Sequence, residues 1–203
     1  MKIFGVGMNY LRHTEELDGR SYRPQEPVIF LKPDSALLKD GKPFFVPAWA
    51  QRFDYEAELV VRICRLGKGI PVRFAHRYWD AVTVGIDFTA RDVQERARHE
   101  GMPWSICKGF DASAALGAFV PLTACGSPLL FRLEKNGQTV QQGDSSEMLF
   151  SVDEIISYLS RFFTLRTGDL IYTGTPAGVG PVQPGDHLQG YLGEDCVLDF
   201  YCR

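Results

Sequence analysis

Apolar and polar residues alternate in short runs along most of this chain, and Gly or Pro closes nearly every run. A period of two marks strands that bury one face. Strands are expected at Lys2 to Val6, Val28 to Leu31, Tyr55 to Ile63, Ala81 to Phe88, Leu129 to Lys135, Thr139 to Gln142 and Leu170 to Thr173, with two more around Leu188 and Val197. Asn136-Gly137 separates two alternating runs and predicts a type I′ hairpin, since both turn positions need positive φ. Helical spacing is rarer. Ser151 and Glu154 make a capping box ahead of Ile155, Ile156, Leu159, Phe162 and Phe163, which share one helix face. Shorter helices are expected at Phe74 to Trp79, Ala90 to Arg98 and within Asn9 to Leu17. Many strands, few helices and no linker predict one β-dominated α+β domain over residues 1–203.

The run from Tyr55 to Ile63 carries more than packing. Glu56 and Glu58 fall on one face, while Tyr55, Ala57, Leu59, Val61 and Ile63 fall on the other. Alone, Glu-x-Glu reads most simply as a solvated strand face. Asp87 shifts that reading, because it ends Val82-Thr83-Val84-Gly85-Ile86, a run too apolar for a surface strand. A carboxylate buried there needs a partner. All-oxygen ligation of this kind suits Mg2+ or Mn2+ better than zinc, which favours Cys and His.

Composition narrows the partners more than the chemistry. Hydrophobic residues at 45% and charged residues at 23% describe an ordinary folded domain. A net charge of -3 with no Lys/Arg run lacks the electrostatic footprint of nucleic-acid or anionic-membrane binding, so neither partner is expected. The N-terminal apolar run is too short for a signal peptide, and no stretch is long enough to span a bilayer. Cys64, Cys107, Cys125, Cys196 and Cys202 are scattered without a CxxC pair, which argues against a disulfide framework and fits a reducing cytoplasm.

Several further motifs stay open on spacing alone. Gly5-Val6-Gly7 imitates a dinucleotide fingerprint, but Tyr10 stands where the third glycine belongs and no βαβ unit follows. Thr173-Gly174-Thr175-Pro176 lacks the ending of a phosphate loop and reads equally as a structural turn or an anion-binding one. His13 and Glu16 share a face if their segment is helical, which is how a carboxylate holds a general base, although a lone histidine is more often structural. Lys108, among Trp104, Ile106, Cys107 and Phe110, fits either an oxyanion stabiliser or a snorkelling surface lysine. Arg91, Asp92 and Gln94 follow Asp87 on an expected helix, where Asp92 complements the dipole and the faces of the other two stay open.

Taken in order, Gly7-Met8-Asn9-Tyr10 with His13 and Glu16, Pro27 to Pro33, Tyr55 to Leu59, Asp87 to Gln94, Lys108-Gly109-Phe110-Asp111 and Thr173 to Pro176 resemble the fumarylacetoacetate hydrolase family. The similarity covers nearly the whole chain and is to the short, single-domain branch of acylpyruvate hydrolases and oxaloacetate decarboxylases. It implies a mixed β-sandwich roll and a homodimer. It also implies Glu56, Glu58 and Asp87 as ligands of Mg2+ or Mn2+, and His13 with Glu16 as a dyad on a lid that orders over substrate, Glu16 orienting His13 and His13 activating water. Lys108 would stabilise oxyanion or enolate charge, Gln94 would contact substrate or water, and Thr175 with nearby backbone N–H groups would hold the substrate carboxylate, with Arg91 supporting. Met8 where relatives often carry Arg, Gly109 where many carry Ser, and Ala114-Ala115 where a Cys-Pro pair is common are departures that bear on pocket shape.

The function implied is metal-dependent cleavage of the C–C bond adjacent to a 2-oxo acid, by acylpyruvate hydrolysis or oxaloacetate decarboxylation, through a metal-stabilised pyruvate enolate. An alternative keeps the metal and isomerises or hydrates unsaturated 2-oxo acids. A non-catalytic metabolite binder would have no use for the His13 and Glu16 dyad.

Overall fold

Alternating apolar residues give this chain strands with two usable faces, and the computed structural model, which describes residues 1–12 and 23–203, stacks them into curled sheets. The largest has eight strands. Its path runs Val28–Lys32, Ile3–Gly7, Leu170–Tyr172, Ala57–Ile63, Trp79–Asp87, Ala114–Leu116 and Leu37–Leu38, with Val120–Pro121 also pairing on Trp79–Asp87. Ile3–Gly7 lies parallel to Leu170–Tyr172, and Leu37–Leu38 parallel to Ala114–Leu116; the other pairs are antiparallel. A four-stranded sheet orders Gln138–Asp144, Leu130–Lys135, His187–Leu192 and Asp195–Tyr201, and a small third sheet joins Gly180–Pro181, Phe53–Tyr55 and Thr89–Ala90.

Period-two alternation decides what each face of the large sheet meets. Phe4, Val6, Leu59, Val61, Ile63, Val82, Val84, Ile86 and Ile171 point into the main core, together with Leu133, Leu188, Leu198 and Phe200 of the four-stranded sheet. The opposite face buries a smaller set built on Ile3, Val60, Leu170 and Tyr172. Helix Val152–Phe162 closes the main core with Val152, Ile155, Ile156 and Leu159. Its start is the expected capping box, with Ser151 Oγ accepting from the Glu154 N–H at 3.3 Å and Glu154 Oε2 accepting from the Ser151 N–H at 2.8 Å. Among the described residues no helix is long and apolar enough to cross a membrane.

Two expected elements take a different form. The run Tyr55 to Ile63 is divided at Glu56, where the chain leaves the small sheet as Phe53–Tyr55 and enters the large one as Ala57–Ile63. The pairing bridges the gap, since the Glu56 carbonyl accepts the Asp87 N–H at 2.8 Å. The helix expected at Phe74 to Trp79 is instead Val72–Ala75, entered from Pro71, and Trp79 opens the next strand opposite Ile63. Pro71 is the N-cap of this earlier start, in extended conformation, and Trp79 Nε1 donates to the Asp153 carboxylate at 3.0 Å.

The Asn136-Gly137 hairpin forms with φ of 54° and 76°, and Asp186 pins it from below. Its buried carboxylate accepts from Asn136 Nδ2 at 2.8 Å and from the Gln183 N–H at 2.9 Å, with Lys135 Nζ at 3.3 Å. Burial alone pushes this carboxyl up, but those hydrogen bonds and Lys135 more than reverse it and hold it below the usual carboxylate range. A depressed value stabilises the fold above the unfolded value, and the gain is lost as pH falls through the folded one. Asp186→Asn should therefore cost about 1–3 kcal/mol near neutrality and flatten the acid side of the stability profile in chemical denaturation. Equal acid sensitivity of the two proteins would contradict this.

Candidate active site

Strand register assembles the charged centre. Ala57 pairs with Ile86 and Glu58 with Gly85, so Glu56, Glu58 and Asp87 emerge on one face of two neighbouring strands. Their ligating oxygens all lie within 4.8 Å of one another, and all three residues are buried. The Thr173 to Pro176 turn fixes Glu58, whose Oε2 accepts the Gly174 N–H at 2.7 Å. Only glycine fits there: φ is +101°, and a Cβ would come 2.7 Å from that of Asn9. Asn9 in turn holds the turn, donating from Nδ2 to the Thr173 carbonyl at 2.7 Å.

Buried cations surround this cluster. Lys108 Nζ donates to Glu56 Oε2 at 2.7 Å, Asp87 Oδ2 at 2.8 Å and Thr89 Oγ1 at 2.7 Å. Burial pulls its ammonium down, but Asp87 and Glu56 outweigh this and hold it above the ordinary lysine value, so it stays charged. Arg91 braces Glu56 from behind, with Nη2 to Glu56 Oε1 at 2.6 Å, Nε to Asp54 Oδ2 at 2.8 Å and Nη1 to Gln94 Oε1 at 2.5 Å. Lys32 Nζ lies 2.7 Å from Asp87 Oδ1 and donates to the Ser113 hydroxyl and carbonyl, both at 3.0 Å, and to the Lys108 carbonyl. Burial lowers the Lys32 ammonium despite Asp87.

Glu58 differs from its neighbours. Glu56 and Asp87 each face two of these cations, whereas among the described residues no ammonium or guanidinium pairs with Glu58. Burial first, then Asp87 and Glu56, pushes its carboxyl well above the ordinary glutamate range. A buried carboxylate short of a cation, beside two more carboxylates, fits a hard divalent ion held by Glu56, Glu58 and Asp87.

The structure thus brings Glu56, Glu58, Asp87 and Lys108 together and sets Arg91 and Gln94 directly behind Glu56. The Arg91 guanidinium and the Gln94 amide oxygen are committed to this network. The Thr175 hydroxyl donates to the Ala57 carbonyl and accepts from Gln141 Nε2, both at 2.8 Å, so its proton is used by the scaffold. His13 and Glu16 lie outside the described residues.

Sequence reasoning missed Lys32, Asp54, Ser113 and Gln141. Lys32 had a readable signal, since it ends the apolar run Val28-Ile29-Phe30-Leu31 just as Asp87 ends its own. Gln141 had none, because it reaches Thr175 and the Ala57 N–H from a hairpin of another sheet.

A buried carboxylate triad with a charged lysine beside it, on one face of a curled β-sheet, is the layout of a divalent-metal enzyme. The family profile for the C-terminal domain of fumarylacetoacetate (FAA) hydrolase matches residues 2–194, and the chain belongs to that family. It is 42% identical over 189 residues to the mitochondrial oxaloacetate tautomerase FAHD1 of Mus musculus, covering 92% of this chain and 85% of that protein. It is 37% identical over 203 residues to the mitochondrial oxaloacetate decarboxylase of Dictyostelium discoideum, covering 98% of this chain and 92% of the relative. The crystal structure of fumarylpyruvate hydrolase from Pseudomonas aeruginosa with Mn2+ and pyruvate superposes with a TM-score of 0.92, at 35% identity, over 100% of this chain and 89% of the other.

Replacing Lys32 tests the bracing of the centre. Lys32→Met leaves Asp87 Oδ1 and the Ser113 hydroxyl without their buried cation and should cost about 3–5 kcal/mol in denaturant unfolding. A loss below about 1 kcal/mol, the level of an exposed pair, would show that Lys32 does not support the cluster.

Proposed function

We propose that this protein is a divalent-metal-dependent enzyme that cleaves the C–C bond adjacent to a 2-oxo acid, by acylpyruvate hydrolysis, oxaloacetate decarboxylation or both. The observation that carries this reading is Glu58, a buried carboxylate with no ammonium or guanidinium paired to it among the described residues, packed against Glu56 and Asp87. Mg2+ or Mn2+ held by these three supplies Lewis acidity toward the keto and carboxylate oxygens of a 2-oxo acid. The protein's own groups do the rest. Lys108 is a fixed positive charge beside the carboxylates, its ammonium bonded to Glu56, Asp87 and Thr89, and would offset the negative charge that grows on the pyruvate portion as the C–C bond breaks. Arg91 keeps Glu56 and Gln94 in register, and the Gly174 N–H keeps Glu58 in place.

For hydrolysis, His13, oriented by Glu16, takes a proton from the water that attacks the distal carbonyl, and the carboxylic acid and pyruvate separate. Decarboxylation releases CO2 and needs no attacking water. The names of the relatives, a fumarylpyruvate hydrolase and an oxaloacetate decarboxylase, support one site serving both. A second reading has its own support in the tautomerase name of the mouse relative: the same charges would assist proton movement between the C3 carbon and the keto oxygen without bond cleavage. The reading includes a homodimer, which sedimentation of the purified protein tests. The free cysteines support a reducing compartment such as the cytoplasm.

Purified protein with Mn2+ or Mg2+ should release pyruvate from acetylpyruvate, fumarylpyruvate or oxaloacetate, and excess chelator should stop it. Release that survives the chelator would defeat the metal dependence, and none with metal present would defeat the cleavage reading. Catalysed decay of enol absorbance without pyruvate would select the tautomerase. His13→Ala should lower acylpyruvate hydrolysis by about 100-fold or more.

A further inference from the structure

Phe30 and Trp104 have no part in the network above, yet both rings border it. The Lys108 ammonium lies 5.2 Å from the Phe30 ring centroid, outside its bonds to Glu56, Asp87 and Thr89. Trp104 meets Phe30 edge to face, with centroids 5.9 Å apart and planes at 60°. Both side chains are half-buried.

The backbone makes room for these rings. Phe30 pairs with Gly5 and Val28 with Gly7 across two strands of the large sheet. A Cβ on Gly5 would collide with the Phe30 ring, and one on Gly7 would come 3.2 Å from Trp104 Cζ3. Gly5-Val6-Gly7 is therefore space for two aromatic rings beside a charged centre. The nearby cations are occupied, Arg91 by Asp54, Glu56 and Gln94, and Lys32 by Asp87 and Ser113. The half-buried Phe30 ring is an apolar surface beside the Lys108 ammonium.

We propose that Phe30, held from its edge by Trp104, is a specificity-determining wall for the part of the substrate beyond the reacting carbonyl, favouring 2-oxo acids with an apolar acyl tail. The inference rests on the 2-oxo-acid reading. The chelating end of the substrate belongs to the carboxylate centre, and the tail gains by covering the ring. Each methylene laid on the wall removes apolar area from water, so selectivity rises with tail length until the wall is covered.

The test is kcat/KM for acetyl-, propionyl- and butyrylpyruvate with Mn2+, in the wild type, Phe30→Ala and Phe30→Leu. Mn2+ binding read by electron paramagnetic resonance checks that each variant keeps its carboxylate site. In the wild type each methylene should raise kcat/KM about threefold or more, mainly through KM. That dependence should vanish in Phe30→Ala and weaken in Phe30→Leu, which keeps most of the volume but not the flat face. Equal chain-length dependence in wild type and variants, or none in the wild type, would overturn the wall. Wild-type protein that releases pyruvate from none of the three, nor from oxaloacetate, would instead overturn the reading beneath it.

Discussion

Three carboxylates buried within 4.8 Å of one another are the constraint on which the rest of this structure turns. Like charges at that range, away from water, are tolerated only with compensating cations. The chain supplies Lys32, Lys108 and Arg91 from three different elements, and each reaches the cluster through buried contacts below 3 Å. Asp54 enters with Arg91 as a fourth carboxylate and takes a further share of positive charge from Arg52. The balance falls short at Glu58, which has only a backbone N–H among its described partners. The site is therefore stable enough to fold and still short of positive charge where a divalent ion would enter.

The scaffold explains why this arrangement is rigid. Glu56 lies at the break between two sheets, where its backbone carbonyl is held by the Asp87 N–H and its carboxylate by Arg91 on one oxygen and Lys108 on the other. Asp87 ends the longest strand, and Lys32 and Lys108 grip one oxygen each. Lys32 also bonds the Lys108 carbonyl, tying a metal-ligand candidate and the charged lysine to the same ammonium. Orientation of the charges is thus built into the fold, which is what electrostatic catalysis asks of a site.

Much of this was legible in the sequence, for identifiable reasons. Period-two alternation located the long strands, and Ser151 with Glu154 and Asn136-Gly137 marked their helix and hairpin through local hydrogen bonding and backbone conformation alone. Glu56, Glu58 and Asp87 stood out because charge interrupted apolar runs. The division at Glu56 was not readable, because strand identity does not say which sheet receives each half. The early helix end at Ala75 was hidden because Trp79 suits either pattern, and its strand pairing with Ile63 decides. Lys32 was passed over although it broke an apolar run, while Asp54, Ser113 and Gln141 act through contacts between distant segments that no local spacing encodes. Tyr10 already set Gly5-Val6-Gly7 apart from a nucleotide motif, but only the structure shows that its glycines leave space for the rings of Phe30 and Trp104.

The central claim is that Glu58, with Glu56 and Asp87, completes a divalent-cation site. Equilibrium titration of Mn2+ followed by electron paramagnetic resonance, on the wild type and Glu58→Gln, tests it most directly. One tightly bound Mn2+ per chain in the wild type, weakened in the variant by more than about 100-fold, the upper end of what losing an outer partner costs, is the expected result. Unchanged affinity in Glu58→Gln, or no Mn2+ bound by the wild type, would contradict the account.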